Sequence, residues 1–200
     1  MEETWQVSFE SIISQIVERG YGILDGFLSE DEIGKLNESL VSHYQAHEFK
    51  QAGISKDHEV MKNIRGDEIL WLERGDANEA ETKFLERLEY FMSYVNYTCY
   101  LGLRSYEIHY ASYPVGTFYK RHLDKFRNDS GRKLSFICYL NQGWQAVNGG
   151  ELVLYLPDKE ETVLPLGGRL IVFESDKIEH EVLPANRERR SLTGWLRNID

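Results

Sequence analysis

Cysteine is scarce in this chain: Cys99 and Cys138 are the only two in 200 residues, too few and too far apart for a disulfide framework or a thiolate zinc site. Both are expected to be buried, reduced thiols. Long apolar runs are missing too, since no stretch approaches the roughly 20 apolar residues that a membrane-spanning helix needs. The opening residues Met1 to Val7 lack the basic-then-apolar order of a secretion signal. The expectation is a cytoplasmic protein with no membrane partner. Basic residues are outnumbered, 23 Lys and Arg against 33 Asp and Glu, for a formal charge of −10. Wide contact with nucleic acid phosphates requires a basic face, so nucleic acid is not an expected partner. No Pro/Ser-rich linker, internal repeat or low-complexity tract divides the chain, which favours a single domain over residues 1–200.

What is present is ordinary globular composition, 42% hydrophobic and 28% charged, enough for one sizeable core. Trp5, Phe9, Ile12, Ile13, Ile16 and Val17 recur at helical spacing and stop before Gly20, which reads as an amphipathic helix with its cap. The run from Tyr21 to Phe27 reads as a strand. Ser29 with Glu32 forms a capping box for a second helix through Ile33, Leu36, Leu40 and Tyr44. Residues 46–63 are polar and aperiodic, a surface connection. A third helix fits Glu81 to Val95, with Phe84, Leu85, Leu88, Phe91, Met92 and Val95 in one core-facing stripe.

From about Tyr106 the pattern changes to short β-type runs: Glu107 to Tyr113, Leu134 to Leu140, Glu151 to Leu156, Arg169 to Phe173, His180 to Leu183 and Ser191 to Leu196. Turn chemistry at Pro114-Val115-Gly116, Asn148-Gly149-Gly150, Pro157-Asp158-Lys159 and Pro165-Leu166-Gly167-Gly168 separates them. Helices first and short strands after suggest an α+β fold with a barrel or jelly-roll core. Residues 1–105 would be mainly helical support and a lid segment, and residues 106–200 the catalytic sheet.

His122 and Asp124, two apart on an extended segment, point the same way. A distant His180 completes two imidazoles and a carboxylate, a facial set that suits Fe(II) and leaves three open positions. Two of these fit a chelating keto acid and the third fits O₂. The spacing alone is weak, because six His and 33 acidic residues supply about one such match by chance. The surroundings add weight. Arg189 alternates with Ser191, Thr193 and Trp195, so if that face looks inward a buried guanidinium needs an anion, and the distal carboxylate of 2-oxoglutarate fits it. Tyr139 could add its hydroxyl to that carboxylate, with Ile137 and Leu152 packing the apolar carbons. A surface Arg189 within the Arg187, Arg189, Arg190 cluster is the alternative.

Tyr113-Pro114, Tyr119 to Asp124, Tyr139-Leu140-Asn141, Trp144, Gly149-Gly150, Ser175-Asp176, His180-Glu181-Val182, Pro184-Ala185 and Arg189 to Trp195 together resemble the Fe(II)/2-oxoglutarate prolyl hydroxylases. The likeness is closest to the oxygen-sensing branch that acts on hypoxia-inducible factor. Upstream, Ile64 to Glu73 is similar to the segment that in this branch leads into a mobile loop over the active-site mouth. The resemblance runs from about Gly20 to Arg197.

This resemblance implies a double-stranded β-helix, a cupin-like jelly roll, backed by N-terminal helices. It implies His122, Asp124 and His180 as iron ligands, Arg189 and Tyr139 on the distal carboxylate, and Thr193 and Trp195 in the same pocket. Tyr113 and Tyr119 would sit near the metal and the substrate entrance. Arg65 with Asp67 would form a salt bridge shaping the lid, which also carries Trp71. Ascorbate would serve as reductant. The Arg65-Gly66-Asp67 tripeptide also spells an adhesion motif, disfavoured by the acidic composition and missing secretion signal. The chain stops at Asp200, so the C-terminal helix that grips peptide in the animal enzymes, and the zinc finger some relatives carry, are expected to be absent. A minimal chain of this kind is most similar to bacterial relatives, which include enzymes that hydroxylate a proline of elongation factor Tu. The expected activity is therefore prolyl hydroxylation of a protein, with O₂ consumed and 2-oxoglutarate decarboxylated to succinate. The rivals are the same chemistry on a free amino acid or other small molecule, a non-catalytic cupin-like metal-binding module, and a nucleic acid demethylase, which the charge disfavours.

Overall fold

Successive side chains of a strand face opposite ways, and in the central strands both sets are apolar or aromatic, so the sheet they build must be covered on both faces. The computed structural model describes residues 2–53, 64–124 and 131–199. Its elements run α1 (Glu2–Arg19), β1 (Tyr21–Leu24), α2 (Glu30–Gln45), β2 (Lys50–Gln51), β3 (Glu68–Trp71), α3 (Glu79–Cys99), β4 (Ser105–Tyr113), β5 (Tyr119–His122) and β6 (Arg132–Tyr139). A 3₁₀ turn at Ala146–Asn148 follows, then β7 (Leu152–Tyr155), β8 (Glu160–Val163), β9 (Leu170–Glu174), β10 (Glu179–Val182) and β11 (Arg189–Arg197). All strand pairs are antiparallel, in a seven-stranded sheet ordered β1-β9-β6-β11-β4-β3-β2 and a four-stranded sheet ordered β5-β10-β7-β8.

The strand parity sorts the core into two layers. Ile108, Tyr110, Leu134, Phe136, Cys138, Leu170, Val172, Leu192 and Leu196 face the helices, where they meet Phe9, Ile12, Ile33, Leu36, Phe84, Leu88 and Phe91. Ala111, Tyr113, Ile137, Tyr139, Ile171 and Phe173 face the other way and pack on Leu152, Leu154, Val163 and Val182 of the small sheet. Each fully buried aromatic or branched side chain contributes roughly 1.5–3 kcal/mol relative to exposure, so the two layers fix which parity looks between the sheets. That inter-sheet face carries Tyr113, Ile137 and Tyr139, three of the candidate site residues named from the sequence. At the centre of β11, Gly194 is required by close approach: a Cβ there would lie 2.0 Å from the Glu107 carbonyl oxygen and 2.8 Å from the Phe136 ring.

The helices start as their caps dictate. Ser29 and Glu32 form the expected reciprocal box, and Asn78 with Glu81 forms a second one that starts α3 two residues ahead of the expected Glu81. Both satisfy backbone N–H groups that a helix start leaves unpaired.

Several expectations need correction. The first strand ends at Leu24, where Asp25-Gly26 turns the chain, and does not reach Phe27. Val17 is 78% exposed and Tyr44 46% exposed, so neither belongs to the core stripe of its helix. Cys138 is buried, but Cys99, in the last turn of α3, is only half-buried. The connection expected at 46–63 contains β2, which pairs with β3; its remainder from 54 to 63 lies outside the described residues, as does Lys125. The segment Ile64 to Glu73 includes β3, paired with β4, so much of it is sheet. Among the described residues no helix is long and apolar enough to cross a membrane.

Candidate active site

Pairing between β5 and β10 places His122 directly opposite His180. Asp124 follows two residues after His122, beyond the end of β5, and its carboxylate lies between the two imidazoles. His122 Nε2 is 3.6 Å from Asp124 Oδ1 and His180 Nε2 is 3.6 Å from Asp124 Oδ2. Each ring directs Nδ1 at the backbone carbonyl two residues earlier, His122 at Lys120 O (2.7 Å) and His180 at Ile178 O (3.3 Å). With Nδ1–H donated to a carbonyl, Nε2 is left with its lone pair facing the carboxylate, the arrangement of a metal-ligating histidine. One ligand atom from each of the three residues lies within 4.8 Å of the others.

The electrostatics agree with that role. Burial lowers the His180 pKa to about 4, with neighbouring Asp124 opposing the shift, so the imidazole is neutral at neutral pH. Burial works to raise the Asp124 carboxyl, but His180, His122 and the Ser135 hydroxyl outweigh it and hold the group well below the usual carboxylate range. Ser135 Oγ donates to Asp124 Oδ2 at 2.6 Å, and Arg132 Nη1 donates to the Asp124 carbonyl at 3.3 Å.

A cavity of about 310 Å³ opens beside the triad, between the two sheets. Its floor is the inter-sheet face of β4, β6 and β11, and the ladder register sets its order. Arg189 pairs with Tyr113, Thr193 with His109 and Ile137, and Trp195 with Glu107 and Ser135. At the Tyr113 end Arg189 is 1% exposed. Its Nε donates to Gly150 O at 3.0 Å, its Nη2 has no partner, and neither does the buried Tyr139 hydroxyl nearby. At the Trp195 end, His109 is 3% exposed and its buried Nδ1 has no partner. Its ring lies 4.9 Å from Trp71 and 5.6 Å from Trp195. Burial, then Arg65 and Arg132, lower the His109 pKa to about 3, so this imidazole is neutral. Arg132 stacks 3.5 Å over Trp195 and makes a two-pronged pair with Glu107 at 3.0 and 2.6 Å.

On the cavity wall, Arg65 forms a bidentate pair with the buried Asp67 at 2.8 and 2.6 Å. The Arg65 guanidinium covers the Tyr119 ring at 4.3 Å, and Tyr119 stacks on His122 at 3.6 Å. Burial raises the Tyr119 hydroxyl pKa to about 12, so it stays protonated.

Of the residues singled out from sequence, the structure brings His122, Asp124, His180, Arg189, Tyr113, Thr193, Trp195, Ile137, Arg65, Tyr119 and Trp71 to this one cavity. Tyr139, Leu152 and Asp67 are not on its wall; all three are buried next to wall residues. Arg189 is buried, so the surface alternative falls. No site role follows from the sequence alone for His109, Arg132, Glu107 and Ser135, and Ser175 enters there only within the Ser175-Asp176 motif of the resemblance. Their signal was parity: His109 and Glu107 alternate with Tyr113 on β4, and Ser135 alternates with Ile137 and Tyr139 on β6.

Residues 108–197 match the 2OG-Fe(II) oxygenase superfamily. Prolyl hydroxylase EGLN3 of Mus musculus is 31% identical over 206 residues, which cover 95% of this chain and 83% of that protein. The crystal structure of a Pseudomonas putida prolyl-4-hydroxylase is 38% identical with a TM-score of 0.86, covering 96% of this chain and 100% of that one. A prolyl hydroxylase from Trichoplax adhaerens, solved in complex with a hypoxia inducible factor oxygen degradation domain peptide fragment, is 27% identical with a TM-score of 0.89, covering 98% and 91%. The chain spans about half the length of the Homo sapiens Egl nine homolog 1, 48% of it at 30% identity.

Proposed function

The chain belongs to the prolyl hydroxylases of the 2OG-Fe(II) oxygenase superfamily, and from that premise we propose that it hydroxylates a prolyl residue of a protein substrate, using residues 1–200 as one oxygenase domain. Members of this superfamily take Fe(II) as metal and 2-oxoglutarate as cosubstrate. The observation that carries the reading is the buried Arg189 guanidinium with an unpartnered Nη2, beside the unpartnered Tyr139 hydroxyl and on the same cavity as the triad. A buried cation without a counter-ion is strongly unfavourable, and a dicarboxylic keto acid supplies the missing anion.

The residues fit the absent groups. Two imidazoles with free Nε2 lone pairs and one ionised carboxylate are the donor set for a single iron with open positions. Iron bound there would supply the oxidative chemistry that couples decarboxylation of 2-oxoglutarate to insertion of oxygen into a C–H bond. The protein's share is placement. Arg189, with Tyr139, would hold the distal carboxylate, and Ile137 and Thr193 would flank the chain of the cosubstrate, with Leu152 packed behind. Tyr113 and Tyr119, both held protonated by burial, offer neutral hydroxyls. Trp71, His109 and Trp195 form an aromatic wall for the prolyl ring, and the Arg65–Asp67 strap keeps Tyr119 against His122 and water away from the metal. Ascorbate would keep the iron reduced between turnovers.

Support for a peptide substrate comes from the Trichoplax adhaerens relative, which binds a peptide fragment. Elongation factor Tu is the first candidate to try. Purified protein with Fe(II), 2-oxoglutarate and air should release succinate, and His122→Ala should abolish release. Mass spectrometry of elongation factor Tu should then show one added oxygen on a proline. Oxygen on free proline alone would favour the small-molecule rival, and metal binding with no succinate would favour a non-catalytic module.

A further inference from the structure

Asp124 differs from the two histidines in how it is held. His122 and His180 sit in paired strands, whereas Asp124 lies past the end of β5, outside any ladder. Two contacts from β6 take the place of a ladder: Arg132 holds the Asp124 backbone carbonyl and Ser135 holds its side chain at Oδ2. Ser135 is 2% exposed and lies 2.9 Å from the Oγ of Ser175, which is 0% exposed. A hydroxyl has one proton to give, and an ionised carboxylate can only accept. Ser135 Oγ is placed to donate to Asp124 Oδ2 and to Ser175 Oγ, and the charged carboxylate, at the shorter distance, is the stronger acceptor for its one proton. Ser175 is itself fixed, since its backbone N–H donates to Lys133 O on β6 at 3.1 Å.

We propose that Ser135 is a positioning residue that holds Asp124 to one-oxygen coordination of the metal, with the buried Ser175 hydroxyl fixing where the Ser135 oxygen sits. The inference rests on the iron reading above. With its Oδ2 engaged by Ser135, the carboxylate is locked in rotation and offers the metal one oxygen. Freed, it can turn and offer both, filling an additional position. A six-coordinate metal with two imidazoles and one carboxylate oxygen keeps three positions, the number that a two-oxygen keto acid and O₂ need. A chelating carboxylate would leave two. Ser135 thereby protects the vacancy for O₂, and neither serine needs to touch substrate or metal.

The test uses Mn(II) and Co(II) as redox-silent probes on the purified full chain, without turnover. Mn(II) affinity is read from the paramagnetic resonance of free Mn(II), and coordination number from the Co(II) absorption spectrum. Ser135→Ala should weaken Mn(II) binding about 10–100-fold, the usual effect of losing a hydrogen bond to a metal ligand, and should change the Co(II) spectrum. Ser135→Thr, which keeps the hydroxyl, should restore both, and Ser175→Ala should fall between. A Ser135→Ala protein with wild-type affinity and spectrum overturns the proposal, whatever its melting temperature. If Ser135→Ala does not fold, Ser175→Ala decides: wild-type behaviour there is equally fatal. Wild-type protein that binds neither ion would instead sink the iron reading itself, a result distinct from failure of the Ser135 contact.

Discussion

Arg189 faces Tyr113 across the ladder between β4 and β11, its guanidinium carbon 5.0 Å from the tyrosine ring centroid. The Tyr139 ring lies 4.9 Å from the same carbon. Aromatic faces partly stabilise a buried cation, and among the described residues no carboxylate does so. The pocket is thus built around a positive charge that awaits an anion, which links the backbone register of two strands to the choice of a dicarboxylic cosubstrate.

Substitution at this position tests that link. Arg189→Ala should raise the KM for 2-oxoglutarate about 10–100-fold, the equivalent of losing hydrogen bonds to a charged group worth about 1.5–3 kcal/mol. Arg189→Lys should recover only part, because an ammonium cannot present the two-pronged fork that a carboxylate matches. Succinate release measured against 2-oxoglutarate concentration reads both. An unchanged KM in Arg189→Ala would remove the carboxylate assignment.

His109 offers a separation of stability from function. An unsatisfied buried polar atom costs about 1–3 kcal/mol, and its Nδ1 is such an atom. His109→Leu should therefore raise the urea unfolding midpoint while increasing the KM for the prolyl substrate and leaving the KM for 2-oxoglutarate unchanged. A variant that loses stability and keeps its substrate kinetics would make the imidazole plain packing.

The contrast between Arg189 and His109 also marks how far the sequence could be read. Arg189, Ser191, Thr193 and Trp195 alternate so regularly that their shared face was legible, and the helical stripes followed by short strands pointed to a barrel or jelly roll, of which the resemblance to the prolyl hydroxylases singled out the jelly roll. His109 has the same parity as Tyr113, yet parity cannot distinguish a side chain that fills the core from one that lines a cavity. Ser135 and Ser175 lie 40 residues apart in sequence and meet only because β6 pairs with β9. Strands β2 and β8 escaped notice because Lys50–Gln51 and Glu160–Val163 are short, largely polar edges whose pairing comes from their neighbours. Val17 and Tyr44 keep the helical spacing of their stripes but end up largely solvent-exposed, which spacing alone does not reveal.

The Arg65–Asp67 pair should be energetically one-sided. Arg65 is 12% exposed and the Asp67 side chain 0%, so Arg65→Ala leaves a buried carboxylate without its partner. Breaking such a pair from one side costs about 3–5 kcal/mol. The double variant Arg65→Ala/Asp67→Ala should be more stable than Arg65→Ala alone, since the stranded charge is gone. Urea denaturation of the two variants measures the difference, and a double variant less stable than the single would show that Asp67 is satisfied by other groups.

A pH-sensitive contact joins α2 to α3, remote from the His122, Asp124 and His180 triad. His43 on α2 lies between Glu48, 2.5 Å from its Nδ1, and the buried Glu81 on α3, 2.9 Å from its Nε2. Tyr110 on β4 donates to the same Glu81 oxygen at 3.0 Å. Burial tends to lower the His43 pKa, but the hydrogen bonds it donates to the Glu48 and Glu81 carboxylates prevail and raise it above its ordinary value of 6.5. Since the folded state holds this proton more tightly than the unfolded one, its contribution is complete below the ordinary value and is lost as pH rises through the raised value. His43→Gln removes the titration while keeping a hydrogen-bonding group. The wild type should therefore be more stable than His43→Gln at about pH 5.5, and the gap should narrow by about pH 9, beyond the histidine range. Paired urea midpoints at the two pH values measure it. A gap that stays constant would mean that the imidazolium does not join α2 to α3.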